Sequence, residues 1–246
     1  IAAAPPAPAS LARRFAEVRA QTQALCAPLA PEDSAMQSMA DVSPPKWHLA
    51  HTTWFFEHFV LARFVPGYRR YDERFAFLFN SYYDSIGSRV ERQRRGLLSR
   101  PTLAQVLAYR AAVDAAMAEA LATLPDPLWP ELSPLLELGL QHEQQHQELL
   151  CTDIKHILLS NAYPACYSPA VAVAEGGQPA ASGWLSVAGG VYAIGTEPGS
   201  VGFAFDNEGP PHEVLLRPFA LRHHLVTHAE WLAFMADGGY ARPEFW

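Results

Sequence analysis

The chain has 246 residues, of which 50% are hydrophobic and 17% are charged, enough to bury a sizeable core in one large domain or two ordinary ones. Its formal net charge of -7 argues against a nucleic-acid partner, because phosphate binding calls for a basic surface. Three cysteines without a CxxC pair favour neither a disulfide framework nor a thiolate zinc site, and they predict a reducing, cytoplasmic setting. The sequence contains no run of about 18 apolar residues, so we expect no membrane partner.

Four segments carry apolar residues at helical spacing and predict long amphipathic helices. They are residues 10–29, 43–65, 100–124 and 133–160. Ser10 and Thr102 are the predicted N-caps of the first and third helices, and prolines bound the second. A longer connection, residues 66–99, separates the second helix from the third. Four such helices predict a helical bundle over residues 10–162.

The composition changes after the fourth segment. Residues 163–183 are rich in Pro, Ala, Gly and Ser without a period, and they predict a linker. The following stretch, GWLSVAGGVYAIGT, consists of short apolar runs cut by glycines, which is typical of strands and turns. A short helix is predicted from about Thr227. Residues 184–246 stop soon after that helix, so we expect them to pack against further polypeptide of the same fold, in the same chain or a separate one.

The motif QHEQQHQELL at residues 141–150 places His142 and His146 four positions apart, on one face of the fourth helix. At this spacing one helix gives a divalent metal two nitrogen ligands. The alternative is a polar helix surface on which two histidines happen to fall. Further histidines on the second helix favour the metal site, because burying imidazoles costs free energy. These are His48, His51 and His58.

The motif HLAHTTWFFE, followed later by HEQQHQEL, resembles the iron-binding bundle of the ergothioneine-type sulfoxide synthases, which belongs to the wider DinB-like four-helix family. The segments GGVYAIGT, FAFDNEGPPHEV and RPFALRHHLVTHAEWLAFMADGGY are similar to the start of a formylglycine-generating-enzyme-like domain. That enzyme family fuses the two domains in this order. The resemblance implies an α+β chain, with a DinB-like four-helix bundle followed by the start of a formylglycine-generating-enzyme-like (C-type-lectin-like) domain.

The resemblance also implies that His51, His142 and His146 are the three ligands of a non-haem Fe(II), with His48 in a supporting position. Three neutral imidazoles leave other positions of an octahedral ion open for substrates. Gln145 lies one turn from His142 and matches the glutamine that the family uses to hold the acceptor imidazole. The alternative for Gln145 is an ordinary polar surface residue.

Residues 80–102, NSYYDSIGSRVERQRRGLLSRPT, connect the second and third helices and carry five arginines. In the resembling family, arginines of this loop bind the carboxylate of the sulfur donor, and the guanidinium fork suits a carboxylate. Both Arg89/Arg92 and Arg92/Arg95 have the expected i, i+3 spacing. We prefer Arg92 and Arg95, because that segment leads directly into the third helix. A solvated basic loop is the alternative.

Tyr82 and Tyr83 in the same loop are candidates for the catalytic proton donor. One branch of the family carries its catalytic tyrosine in the C-terminal domain, and another uses a tyrosine pair in this loop, which SYYDS resembles. A phenol that supplies a proton favours C–S bond formation over oxidation of the thiol to a sulfinate. A buried aromatic pair is the alternative.

The resemblance therefore implies an O₂-dependent iron(II) sulfoxide synthase. It would join the thiol of cysteine or γ-glutamylcysteine to the imidazole carbon of hercynine in ergothioneine biosynthesis. One alternative is an ovothiol-type 5-histidylcysteine sulfoxide synthase. Another is a DinB-like metal-dependent thiol S-transferase, which has no reason to carry a strand-rich second domain. A non-enzymatic module with structural zinc is the third, although such sites typically have four protein ligands.

Overall fold

The computed structural model describes residues 8–81, 89–163, 165–168, 183–197 and 202–246. These residues form two compact units, one up to residue 168 and one from residue 183 on. The first unit is helical and the second combines short strands with a helix, so the predicted α+β class is confirmed. Within the described ranges, no helix is both long and apolar enough to cross a membrane.

The first helix, α1, spans Pro8–Cys26. The predicted N-cap at Ser10 is wrong, because the helix is already formed at Pro8 and Ser10 lies in its first turn. Proline suits a first turn, since its missing N–H would have no partner there and its φ is already helical. Of the stripe that predicted this helix, Leu11, Phe15, Val18 and Thr22 are buried and Leu25 is half-buried.

The second predicted helix is divided into three parts. An α-helix, α3, spans Pro45–Phe55, a π-helical section spans Phe56–Leu61, and a last α-helical turn, α4, spans Ala62–Phe64. The prediction of one regular helix over residues 43–65 is therefore wrong in its interior. A π section has i to i+5 hydrogen bonds and so changes the direction of the side chains that follow it. All eleven residues of α3 are buried.

The third and fourth predicted helices are α6 at Leu103–Thr123 and α7 at Trp129–Leu159. The predicted cap at Thr102 is confirmed, since its hydroxyl accepts from the Gln105 amide and the Gln105 side chain accepts from the Thr102 amide. Helix α7 begins a turn earlier than predicted, with Pro130 in its first turn. Shorter helical segments connect these elements: α2 at Pro31–Ala35, α5 at Phe75–Phe79, and 3-10 turns at Arg92–Leu97 and Asp126–Leu128.

A buried charge network joins three of the long helices. The Glu143 carboxylate on α7 accepts from Arg19 of α1 at 2.9 Å, from Arg110 of α6 at 2.5 Å and from Thr22 of α1 at 2.7 Å. Burial alone raises the pKa of Glu143, but the two guanidinium charges outweigh it and lower that pKa to about 2. The network fixes α1, α6 and α7 against each other directly beside His142.

The second unit contains two antiparallel strand pairs. Strand β1 at Trp184–Val187 pairs with β4 at Phe219–Arg222, and β2 at Gly190–Ile194 pairs with β3 at His212–Leu216. Helix α8, His228–Ala236, follows Thr227, whose hydroxyl accepts from the Glu230 amide. The strands and the short helix predicted from the sequence are thus present. Most of the predicted linker, residues 163–183, lies outside the described residues.

Candidate metal centre

Three histidines from two helices converge inside the bundle. His51 comes from α3, and His142 and His146 come from α7; one ring nitrogen of each lies within 4.8 Å of the others. The Nε2 atoms of His51 and His142 are 3.2 Å apart. Two adjacent ligands of an octahedral ion, each about 2.1 Å from it, are separated by roughly 3 Å. The spacing of these two nitrogens therefore suits ligands of a single ion.

Burial keeps the three rings in their neutral form. It is the largest cause that lowers the pKa of His51 and of His146 well below the ordinary value, and the neighbouring histidines lower both further. Burial likewise lowers the pKa of His142 to about 4. Neutral imidazole is the form that offers a lone pair to a metal ion, so all three rings are ready to bind one at neutral pH.

The ring of His51 is held on both sides. Its Nδ1 donates to the backbone carbonyl of Phe79 at 2.6 Å. Because a neutral ring carries a single N–H, Nε2 is left with its lone pair, directed toward His142. The indole of Trp47 stacks on the His51 ring, with the centroids 4.5 Å apart and an angle of 12° between the planes.

The ring of His142 has a different environment. Its buried Nδ1 has no hydrogen-bond partner among the residues that the structure describes. Its Nε2 faces the unprotonated Nε2 of His51, and a cation between these nitrogens would satisfy both lone pairs. Imidazole donors suit iron, zinc, copper and nickel, so the three-histidine set fits Fe(II) without singling it out.

His48 lies beside this cluster. Its Nδ1 is 2.8 Å from His146 Nδ1, and its Nε2 is 2.9 Å from the Oδ2 atom of Asp153. The predicted supporting position of His48 agrees with these contacts. Asp153 was not among the residues singled out from the sequence, although it lies seven residues after His146 and therefore on the same face of α7.

His58 does not join the cluster. It lies in the π-helical section, where its ring stacks on Trp54 with a centroid distance of 5.2 Å and its Nδ1 is 3.4 Å from an Arg70 nitrogen. His58 therefore lies outside the three-histidine cluster, although the same Trp54 indole also stacks on the His51 ring.

The two arginines that we preferred lie in different surroundings. Arg95 is buried, donates to the hydroxyls of Ser43 at 2.9 Å and Ser81 at 3.0 Å, and lies 3.4 Å above the Trp47 ring. Because Trp47 stacks on His51, Arg95 is one aromatic layer away from the metal centre. Arg92 is exposed and donates to the carbonyl of Asp41.

The remaining candidates are Gln145 and the tyrosine pair. Gln145 is exposed on α7, one turn from His142. Tyr82 and Tyr83 fall outside the residues that the structure describes. Ser81, the residue before them, is buried and bonded to Arg95, so the start of this loop is close to Arg95 and Trp47.

The comparison with known families agrees with this architecture. The sequence profile of the DinB superfamily matches residues 5–150, which is more than half of the chain. The chain belongs to the DinB superfamily. Residues 171–246 match a second profile, that of the sulfatase-modifying factor enzyme 1-like domain. The predicted order, a DinB-like bundle followed by a formylglycine-generating-enzyme-like segment, is thereby confirmed.

Three curated relatives carry the name hercynine oxygenase. The chain is 29% identical over 165 residues to the protein of Mycolicibacterium smegmatis, covering 66% of this chain and 37% of that protein. It is 29% identical over 244 residues to the protein of Mycolicibacterium thermoresistibile, covering 97% of this chain and 50% of that protein. It is 30% identical over 242 residues to the protein of Mycobacterium tuberculosis, covering 97% of this chain and 53% of that protein. The chain therefore spans about half, or less, of the length of these relatives.

Proposed function

We propose that this chain provides the metal centre of an iron(II)- and O₂-dependent sulfoxide synthase of ergothioneine biosynthesis. The reaction joins the thiol of cysteine or γ-glutamylcysteine to the imidazole carbon of hercynine. The observation that carries the proposal is the convergence of His51, His142 and His146 in a chain similar to three hercynine oxygenases.

The three histidines would hold the ion through one nitrogen each. Bound Fe(II) supplies coordination positions that protein ligands leave open, and it supplies the one-electron chemistry that O₂ requires. The protein's own contribution is a rigid frame around these positions. The ring of Phe55 lies 5.0 Å from that of His142, and Trp47 stacks on His51, so aromatic side chains pack against two of the three ligands.

The arginines would bind the carboxylate of the thiol substrate. Arg95 is fixed by Ser43, Ser81 and Trp47, which hold its guanidinium within one aromatic layer of the histidines. A guanidinium held in this way loses little side-chain entropy when a carboxylate binds. We propose Arg92, three residues earlier in the same 3-10 turn, as its partner in this role.

Two further roles belong to the proposal. Gln145 would hold the acceptor imidazole; its exposure on α7, one turn from His142, supports this role. Tyr82 and Tyr83 would supply the proton that directs oxygen use toward C–S bond formation.

An assay with defined substrates tests this function. The chain is loaded with Fe(II) under anaerobic conditions and supplied with hercynine, O₂, and either cysteine or γ-glutamylcysteine. We expect mass spectrometry to detect a hercynyl sulfoxide, formed only when O₂ is present and lost in His142→Ala. A matched control is His156→Ala, which removes another histidine of α7 that bonds to Ser38 outside the triad.

The other outcomes of this assay separate the alternatives. A thiol adduct formed without O₂ would identify an S-transferase and contradict the proposal. A product of histidine and cysteine joined at the other imidazole carbon would identify the ovothiol-type reaction. Failure of the iron-loaded chain to consume O₂ with either thiol would also overturn the proposed function.

A further inference from the structure

A line of three side chains connects the metal centre to a buried carboxylate. His146 Nδ1 is 2.8 Å from His48 Nδ1, and His48 Nε2 is 2.9 Å from Asp153 Oδ2. The same Asp153 oxygen accepts the backbone N–H of Ser43 at 3.0 Å. All three side chains are buried, with exposed fractions of 2% for His48, 9% for His146 and 5% for Asp153. The line is therefore shielded from solvent along its whole length.

These contacts determine where each ring carries its proton. A carboxylate only accepts hydrogen bonds, so His48 Nε2 is the donor to Asp153. A neutral His48 has a single N–H, and its Nδ1 is consequently an acceptor. His146 Nδ1 must then be the donor in the contact between the rings. This leaves the lone pair of His146 on Nε2, the nitrogen that can face a metal ion.

Burial supports the neutral forms that this assignment needs. A second proton on either ring would place a charge in a water-excluded site next to three other imidazoles.

The three histidines of the centre differ in what holds their second nitrogen. His51 donates to a backbone carbonyl, that of Phe79. His146 donates to another side chain, which in turn donates to Asp153. His142 has no partner for Nδ1 among the described residues. The connection through His48 is thus specific to His146, and it is the only one of these hydrogen bonds, within the described part of the chain, that ends on a charged group.

We propose that Asp153 and His48 are positioning residues, a relay that fixes His146 in the tautomer with a free Nε2 and makes this nitrogen a better donor to the metal ion. The relay rests on the metal centre of the proposed function, but it concerns proton positions that exist before any metal binds. Partners of this kind typically change metal affinity by about 10- to 100-fold when removed.

The tautomer can be read directly in the metal-free chain. Long-range ¹H–¹⁵N correlation spectra of the ¹⁵N-labelled protein distinguish a protonated ring nitrogen from an unprotonated one, and a His146→Ala variant identifies the signals. We expect a protonated Nδ1 and an unprotonated Nε2 in the unsubstituted chain. In His48→Leu we expect the two nitrogens of His146 to become averaged between tautomers. A protonated Nε2 in the unsubstituted chain would overturn the relay.

Metal affinity provides the second readout. Anaerobic competition of Fe(II) with a coloured chelator should show a loss of about 10- to 100-fold in His48→Leu and a smaller loss in His48→Asn. The asparagine places an oxygen near the position of Nδ1 and restores the acceptor, but it breaks the connection to Asp153. Asp153→Asn keeps the shape of the acceptor and removes only its charge, so it should also weaken binding. Unchanged affinity in both His48→Asn and Asp153→Asn would contradict the proposal.

Two controls keep the test decisive. Glu137→Gln makes the same carboxylate-to-amide change on α7, where Glu137 bonds to Arg14 and Gln141, and it should leave both readouts unchanged. Circular dichroism shows whether each variant keeps its helices. If His48→Leu unfolds, the result is decided by His48→Asn and Asp153→Asn. Failure of the unsubstituted chain to bind iron would contradict the proposed function. The His146 tautomer in the metal-free chain would still show whether the relay exists.

Discussion

The helical unit and the strand-rich unit differ in how they treat large apolar side chains. In the helical unit, Trp54 is 1% exposed and Phe56 is fully buried. In the strand-rich unit, Trp184 is 64% exposed and Leu225 is 90% exposed, and no large apolar side chain among its described residues is buried. The first unit therefore has a core of its own. The candidate metal centre lies within that core, where packing can hold ligands to the accuracy that coordination needs.

The strand-rich unit presents the opposite situation. Its described strands pair two by two, and isolated two-stranded ribbons are marginal in water. Exposed apolar surface on this scale usually marks a surface that another polypeptide covers. The expectation that residues 184–246 pack against further polypeptide stays a prediction, and the exposure of Trp184 and Leu225 is the feature that favours it.

The largest difference that we expect between the two units is in backbone opening. Amides of α3 and α7 should exchange hydrogen only through global unfolding, which costs about 5–15 kcal/mol in ordinary domains. Amides of β1–β4 should open at a cost close to zero to a few kcal/mol, because little is buried around them. Hydrogen exchange of the whole chain, followed by mass spectrometry of peptides, measures both. Comparable protection in the two units would show that the strand-rich unit is as stable as the helical one.

The tyrosine pair decides whether the catalytic proton comes from the loop before the third helix or from another part of the protein. We expect a Tyr82→Phe, Tyr83→Phe double variant to bind iron and thiol and to keep consuming O₂. Loss of a general acid typically costs about 10²–10⁴-fold in rate, so the product should shift from hercynyl sulfoxide toward cysteine sulfinate. Mass spectrometry gives the ratio. An unchanged ratio would move the donor out of this loop and leave both tyrosines as packing residues.

The charge network tests whether the core of the helical unit depends on buried polar contacts as well as apolar ones. Glu143→Gln removes the carboxylate that Arg19 and Arg110 share, although Arg19 keeps its ion pair with Asp114. Because this leaves buried charge without its partner, it should lower the free energy of unfolding by about 3–5 kcal/mol. Glu137→Gln removes a more exposed ion pair with Arg14 on the same helix and should cost about 0–1 kcal/mol. Urea titrations of the metal-free variants give both values. Equal losses would show that burial of the network contributes nothing.

The smallest expected effect concerns two equivalent helix caps, one in each unit. Thr102 and Thr227 both form capping boxes, the first in the helical unit and the second in the strand-rich unit. Thr102→Ala should lower the unfolding free energy of the helical unit by about 1 kcal/mol, because one amide loses its acceptor. Thr227→Ala should leave that transition unchanged. Far-UV circular dichroism during thermal unfolding is the measurement, and a matching shift in both variants would indicate that the units unfold together.

The sequence was most informative where structure depends on neighbours along the chain. The spacing of His142 and His146 and the cap at Thr102 are local features, and both could be predicted. Asp153 could not, because its role depends on His48 from another helix, and a single aspartate in a helix carries no signal of that contact. The environments of Arg92 and Arg95 also depend on tertiary packing. Their spacing along the chain does not show which of the two is buried and which is exposed. The π section within the second helix has no clear pattern in the sequence.

The measurement that tests the central claim most directly is the iron content of the purified chain and of His142→Ala. We predict one iron per chain in the unsubstituted protein, and one in the His156→Ala control. His142→Ala should hold no iron while keeping its helical circular dichroism spectrum, because two remaining imidazoles bind the ion too weakly. Stoichiometric iron in His142→Ala, or none in the unsubstituted chain after anaerobic loading, would contradict the assignment of this centre.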